Sequence, residues 1–198
     1  MNIGGKFVDV TKEVAPGLME IGMITSAVWS DFDNDGWIDL IVTGEWMQPT
    51  FFKNEHGKFV NVTEHTGLTK TNGWWNSIYA VDIDNDGDMD YIVGNMGTNI
   101  DFKPAANEPM ELYYDDFTGS GKKQPVISCY VMDEKGKKNR YPFSFRDDLF
   151  KVMPGLKKKF WNYELFGKTT LDDVFKSSAL SKATPTRRRL TNWRIAGA

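Results

Sequence analysis

The chain has 198 residues, of which 40% are hydrophobic and 26% charged, and a net charge of −3. That composition suits one or two folded domains and excludes a disordered chain, and the acidic balance argues against a nucleic-acid partner, which needs a basic face. No run approaches the roughly 18 apolar residues of a membrane-spanning helix.

The segment Met1–Lys6 lacks the basic and apolar regions of a signal peptide. Two readings follow from it: a cytoplasmic protein, or one whose natural N-terminus lies upstream. From there on the chain repeats itself. Lys6–Thr11 (KFVDVT) returns as Lys58–Thr63 (KFVNVT) after 52 residues, and Asp31–Gly36 returns as Asp82–Gly87 after 51. Leu40–Val42 matches Tyr91–Val93 at the same shift of 51. Three blocks in one register define a tandem unit of about fifty residues, the length of one blade in several repeat folds.

Within the first unit, Ser26–Ser30 is short, apolar and β-rich and runs into an acidic loop; Leu40–Val42 follows it and is apolar enough to be buried. Thr50–Asn54 and Lys58–Thr63 flank Glu55-His56-Gly57, a hairpin signal with glycine where positive φ is expected. In the second unit Ser77–Val81 and Tyr91–Val93 flank the second acidic loop. Three to four short strands per fifty residues match a propeller blade.

The two acidic loops place Asp31, Asp33, Asp35 and Asp39, and then Asp82, Asp84, Asp86 and Asp90, at positions 1, 3, 5 and 9, with Gly36 and Gly87 at position 6. Calcium takes six to eight oxygens, and a loop turned by glycine aims alternate side chains at one point. The position-7 residues, Trp37 and Asp88, are expected to add their carbonyl oxygens, which turns the Asp88 carboxylate outward. These two nine-residue windows hold nine of the 27 acidic residues, a crowding that repels itself unless a cation neutralises it. An EF-hand also begins D-x-D-x-D-G but needs Glu at position 12, where this chain has Val42 and Val93.

A third, eroded copy follows. Leu112-Tyr113-Tyr114 leads into Asp116–Gly121 and then Pro125-Val126-Ile127, with Asp116, Thr118, Ser120 and Gln124 at the loop positions and a spacing of 34 instead of 51. A third calcium site near Asp116 is the weakest of the three. Cys129, the only cysteine, sits in the apolar run Pro125–Val131 and is read as a buried hydrophobe; it rules out an internal disulfide or a cysteine zinc cluster. Beyond Tyr141 the pattern becomes helical, with Ser144 before Asp147 and Thr170 before Asp173 at capping spacing, and Pro154 closing the first helix. Lys157-Lys158-Lys159 reads as a solvated face, and Thr184–Ala198 as a disordered or aberrant tail.

Asp-x-Asp-Asn-Asp-Gly-x-x-Asp followed by an apolar strand, with intervening Asn-x-x-Gly-Lys-Phe-x-x-Val-Thr, resembles the FG-GAP or VCBS repeat over residues 5–130. The stretches Asn139–Phe143 and Met153–Phe160 are similar to bacterial proteins of this kind that also have an ASPIC/UnbV-type domain. The resemblance implies the fold of integrin-α-like propellers, structural calcium in the loops, and a secreted, periplasmic or cell-surface location with the signal peptide outside this chain. It does not imply one activity.

The expected fold class is therefore all-β, a partial β-propeller of tandem blades at 5–56, 57–108 and 109–135 within a repeat region 1–135. An irregular and helical segment spans 136–183 and the tail 184–198. Two good blades cannot close a ring, so further blades or another chain are expected to complete it. The expected function is a calcium-binding repeat module mediating protein or carbohydrate binding or adhesion. Trp46, Trp74 and Trp75 are weighed as sugar-stacking residues against packing between blades. His56 and His65 fall in turns, no nucleophile elbow or zinc helix motif is present, and no enzyme is expected. The alternative is a fragment of a secreted calcium-dependent enzyme acting on polysaccharide or phosphoester.

Overall fold

The computed structural model describes residues 1–96, 102–105 and 107–183, and the backbone of 188–190. The chain is mostly β with several antiparallel sheets, and it divides into two compact units, Met1–Asn99 and Ile100–Asn192. No helix among the described residues is long and apolar enough to cross a membrane.

The first unit opens with a two-stranded hairpin, β1 (Asn2–Ile3) with β2 (Lys6–Phe7), and one helical turn, α1 (Thr11–Val14). Its main sheet contains β3 (Met23–Ser30), β4 (Asp39–Met47), β5 (Thr50–Glu55), β6 (Lys58–Asn61), β7 (Gly73–Val81) and β8 (Asp90–Asn95). The strand order is β6-β5-β4-β7-β8, with β3 paired along β4. The β5–β6 connection is the two-residue turn His56-Gly57, both in the left-handed region (φ 54° and 91°), as the right-handed twist of a hairpin demands.

The strand β4 is buried on both faces because alternate side chains enter two different cores. Leu40 and Val42 join Met47 and Phe52, while Ile41 joins Phe51 and Ile78, with Tyr91 and Val93 packed against them. The second cluster holds residues of both copies, so the first copy covers one face of the second. On the opposite face of β7–β8 the cross-strand partners Tyr79 and Ile92 are 67% and 55% exposed. Both copies bulge near the start of the strand that enters the acidic loop, at Ile24/Ser26 in β3 and Trp75/Ser77 in β7. Glycine faces each bulge, since a methyl at Gly44 would lie 2.1 Å from the Met23 carbonyl oxygen and one at Gly94 2.5 Å from Ser77 Oγ.

Two expectations shift here. The sequence boundary at 56/57 cuts through the turn between β5 and β6, whose ladder runs from Phe52↔Asn61 to Glu55↔Lys58; β3 to β6 form one sheet segment across it. A sequence period has no natural starting point, whereas a hairpin cannot be divided. The KFV blocks also differ in partner: Lys58–Val60 pair with β5, but β2 pairs only with β1 and Phe7 is 88% exposed.

The second unit contains β9 (Met110–Asp115), β10 (Gln124–Met132), β11 (Lys138–Pro142), the helices α2 (Arg146–Val152), α3 (Leu156–Lys159), α4 (Tyr163–Gly167), α5 (Leu171–Val174) and α6 (Ser177–Lys182), and then β12 (Arg188–Leu190). The sheet order is β11-β10-β9-β12, all antiparallel. Tyr113 and Val126 on one face of the sheet share a core with Leu149, Met153, Phe166 and Leu171 from the helices. The eroded copy and the helical segment, separated at 135 in the sequence reading, therefore fold around one core. The reason is period: the sheet face buried by helices has the same alternation as one buried by another sheet. Arg188–Leu190, placed in the tail by the sequence, pair with β9; the rest of 184–198 lies outside the described residues.

Capping agrees at one helix and not at the other. Thr170 and Asp173 form a reciprocal capping box at α5. At α2 the N-cap is Phe145 with no side-chain cap, so Ser144 stands one residue too early to serve. The stop before Pro154 is as expected, and Lys157–Lys159 are exposed.

Candidate metal centre

The acidic loops connect β3 to β4 and β7 to β8, and they share one backbone. Position 4 is left-handed in each (Asn34 φ 56°, Asn85 φ 62°), as is position 6 (Gly36 φ 87°, Gly87 φ 96°). Asparagine tolerates this region better than most residues, and glycine occupies it without penalty. The position-6 N–H donates to the position-1 carboxylate: Gly36 to Asp31 at 2.8 Å and Gly87 to Asp82 at 3.1 Å. The position-2 N–H donates to position 9: Phe32 to Asp39 at 3.1 Å and Ile83 to Asp90 at 3.0 Å. The position-7 N–H donates to position 5: Trp37 to Asp35 at 2.9 Å and Asp88 to Asp86 at 3.1 Å.

Each loop gathers three carboxylates, though not the same three. One oxygen each of Asp31, Asp33 and Asp39 lie within 4.8 Å of one another, and so do oxygens of Asp82, Asp84 and Asp86. Two oxygens on one calcium ion stand up to about 5 Å apart, given metal–oxygen distances of about 2.5 Å, so both groups could hold such an ion. Asp35 and Asp90 stand outside these groups. In the first loop Lys53 Nζ, from β5, pairs with Asp33 and with Asp35 at 2.7 Å. That hydrogen bond is the main reason the Asp35 carboxyl is held below the usual carboxylate range, and the two carboxylates push the Lys53 ammonium upward in turn. Lys53 was not among the residues singled out from sequence, because it reaches the loop from another strand.

In the second loop the charge is relieved differently. Asp88 was expected to point away, but its carboxyl lies within hydrogen-bonding reach of Asp86, and that contact, reinforced by the Asp86 charge, raises its pKa. Asp86 is lowered, first by the Asp88 N–H and then by the Asp88 side chain. Among the described residues no ammonium pairs with these crowded carboxylates. Asp82 Oδ1 is buried in this loop with no hydrogen-bond partner among the described residues. A buried lone pair without a partner is costly, and an all-oxygen cluster around it fits a hard divalent cation.

The third loop keeps the backbone and loses the charge. Gly119 (φ 71°) and Gly121 (φ 79°) take positions 4 and 6, and Gly121 N–H donates to Asp116 as in the intact loops. At position 9 Gln124 Oε1 accepts the Phe117 N–H at 3.1 Å, which turns its amide nitrogen toward Thr118 Oγ1 (3.3 Å) and Ser120 Oγ (3.5 Å). Neutral donors and acceptors close this loop on themselves, around a single carboxylate.

The tryptophans pack. Trp46 and Trp75 are 2% and 1% exposed, Trp75 Nε1 donates to the Thr71 carbonyl at 3.0 Å, and Trp46 meets Trp74 edge-on at 5.6 Å. No sugar-stacking face is open on Trp46 or Trp75. Cys129 is buried, and burial pushes its thiol up to about 11, far from thiolate at neutral pH. His56 sits in the β5–β6 turn with its ring edge-on to Trp37 at 4.9 Å.

No curated protein and no solved structure matches the chain. The family described as FG-GAP-like repeat matches residues 31–93, a span that begins at the first residue of the first acidic loop and ends in the strand after the second.

Proposed function

We propose that the first unit is a calcium-binding repeat module whose two loops each hold one structural Ca2+. The observation that carries this reading is Asp82, one of three aspartates with carboxylate oxygens within 4.8 Å of one another, whose Oδ1 is buried with no partner among the described residues. Calcium suits these loops better than magnesium, because it accepts an irregular shell of carboxylates whereas magnesium keeps an octahedron rich in water. Trp37 and Asp88 would add their carbonyl oxygens at position 7.

The module belongs, on this reading, to a protein of the extracytoplasmic space, where calcium is abundant enough for sites of about 10⁻⁴–10⁻³ M affinity. It acts as a binding or adhesion scaffold for a protein or carbohydrate, not as an enzyme. The open face at Tyr79 and Ile92 supports a larger array, since the matching residues of the first copy, Val28 and Ile41, pack with Ile78 of the second. A further blade or another chain would cover it.

Calorimetric titration with calcium tests the metal reading. The unaltered chain is expected to bind two ions, and Asp33→Ala or Asp84→Ala one each. Two ions retained after either change would refute the assignment of that loop.

A further inference from the structure

We infer that Lys53 is a tethered cation that competes with the divalent ion at the first loop, so that the second loop fills first and the module responds to calcium in two steps. This deepens the reading of both loops as cation sites and rests on it. The ammonium is delivered by a fixed element. Lys53 follows Phe52, which pairs with Leu40 at the exit of the loop, and Asn54 ties β5 to the loop on the far side. There the Asn54 N–H donates to Asp39 Oδ1 at 2.7 Å and its side-chain amide to the Ile38 carbonyl at 2.8 Å. Between these anchors Lys53 Nζ pairs with Asp33 and Asp35, and all three side chains are less than one-third exposed.

A lysine here does part of a metal ion's work. It brings one positive charge and three donors to carboxylates that would otherwise repel one another. For an ion to collect Asp31, Asp33, Asp35 and Asp39, the ammonium must leave Asp33 and Asp35. Its removal opposes binding, and its charge continues to repel the ion from nearby.

Among the described residues the second loop has no such competitor. The residue 51 positions after Lys53 is Pro104. Among the described residues no lysine or arginine pairs with Asp82, Asp84, Asp86, Asp88 or Asp90, and Asp82 Oδ1 is buried without a partner. One loop is thus part-neutralised from within and the other is not.

Calcium titration of the full chain, with Lys53→Met, Lys53→Arg and Asp84→Asn beside it, separates the possibilities. The unaltered chain should show a tighter and a weaker step, and Asp84→Asn should remove the tighter one. Lys53→Met, which keeps the aliphatic stem, should tighten the weaker step by about tenfold or more, the scale of one partly screened charge beside a divalent ion. The tighter step should not move, and its persistence reports that the variant is folded. Lys53→Arg, which keeps the charge, should leave both steps near their original positions. Equal affinities in the unaltered chain, or a weaker step unmoved or weakened by Lys53→Met, would overturn the inference while leaving the cation reading intact. No calcium binding by the unaltered chain would overturn both.

Discussion

Position 9 separates the two loops whose carboxylate clusters could hold a cation from the third, which closes by itself. Asp39 is fully buried, and its two oxygens accept the N–H groups of Phe32 and Asn54, which fixes the carboxylate at the point where β4 begins. Asp90 accepts the Ile83 N–H in the same way. Gln124 makes the corresponding bond to Phe117 but fills the remaining space with its own amide nitrogen. Asp116→Ala should therefore leave the calcium stoichiometry of the chain at two, although it loosens the loop by removing the acceptor of the Thr118, Ser120 and Gly121 N–H groups. A drop to one ion in calorimetry would show that the third loop binds. The spacing of the acidic residues was legible in the sequence, but which three carboxylates meet was not: Asp31, Asp33 and Asp39 gather in one loop and Asp82, Asp84 and Asp86 in the other. The shared left-handed position 4, occupied by Asn34, Asn85 and Gly119, was a signal of the same kind that could have been read. Lys53 could not, because its approach depends on the pairing of β5 with β4, twenty residues from Asp33.

At the scale of elements, the strands were the most readable part. Leu40–Val42, Tyr91–Val93 and the hairpin around His56-Gly57 lie where alternation and turn chemistry put them. The core shared by β9, β10 and the helices was not readable, since short helices of four to seven residues are specified by what they pack on more than by their own periodicity. A buried ionic group links the two kinds of element there. Glu111 on β9 is 1% exposed, accepts the Tyr113 hydroxyl at 2.6 Å and pairs with Arg140 of β11 at 3.2 Å. The other arm of Arg140 forms a fork to both oxygens of Asp172 on α5, at 3.1 and 3.2 Å. Arg140→Met keeps most of the volume but leaves Glu111 without this cation. The expected cost is near the lower end of the about 3–5 kcal/mol typical of breaking a buried pair, since the Tyr113 hydroxyl remains. Chemical denaturation measures it, and a change below about 0.5 kcal/mol, the scale of ordinary surface substitutions, would show that the network contributes nothing.

For the whole molecule, the repeat sets both the shared core of the first unit and the placement of the two acidic loops. The first unit packs its two copies through Ile41, Phe51 and Ile78, with Tyr91 and Val93, and each acidic loop sits at one end of the strands that supply this core. An ion that binds the folded loop and not the unfolded chain raises stability in proportion to the logarithm of its concentration, about 2.7 kcal/mol at one hundred times the dissociation constant. On the proposed reading two such ions would sit on loops of one sheet. The most direct measurement is the thermal unfolding midpoint of the full chain in calcium, in magnesium and in excess chelator. Two structural calcium ions require a midpoint that rises with the logarithm of calcium concentration, rises little with magnesium and is lowest in chelator. An identical midpoint in calcium and in chelator would contradict it.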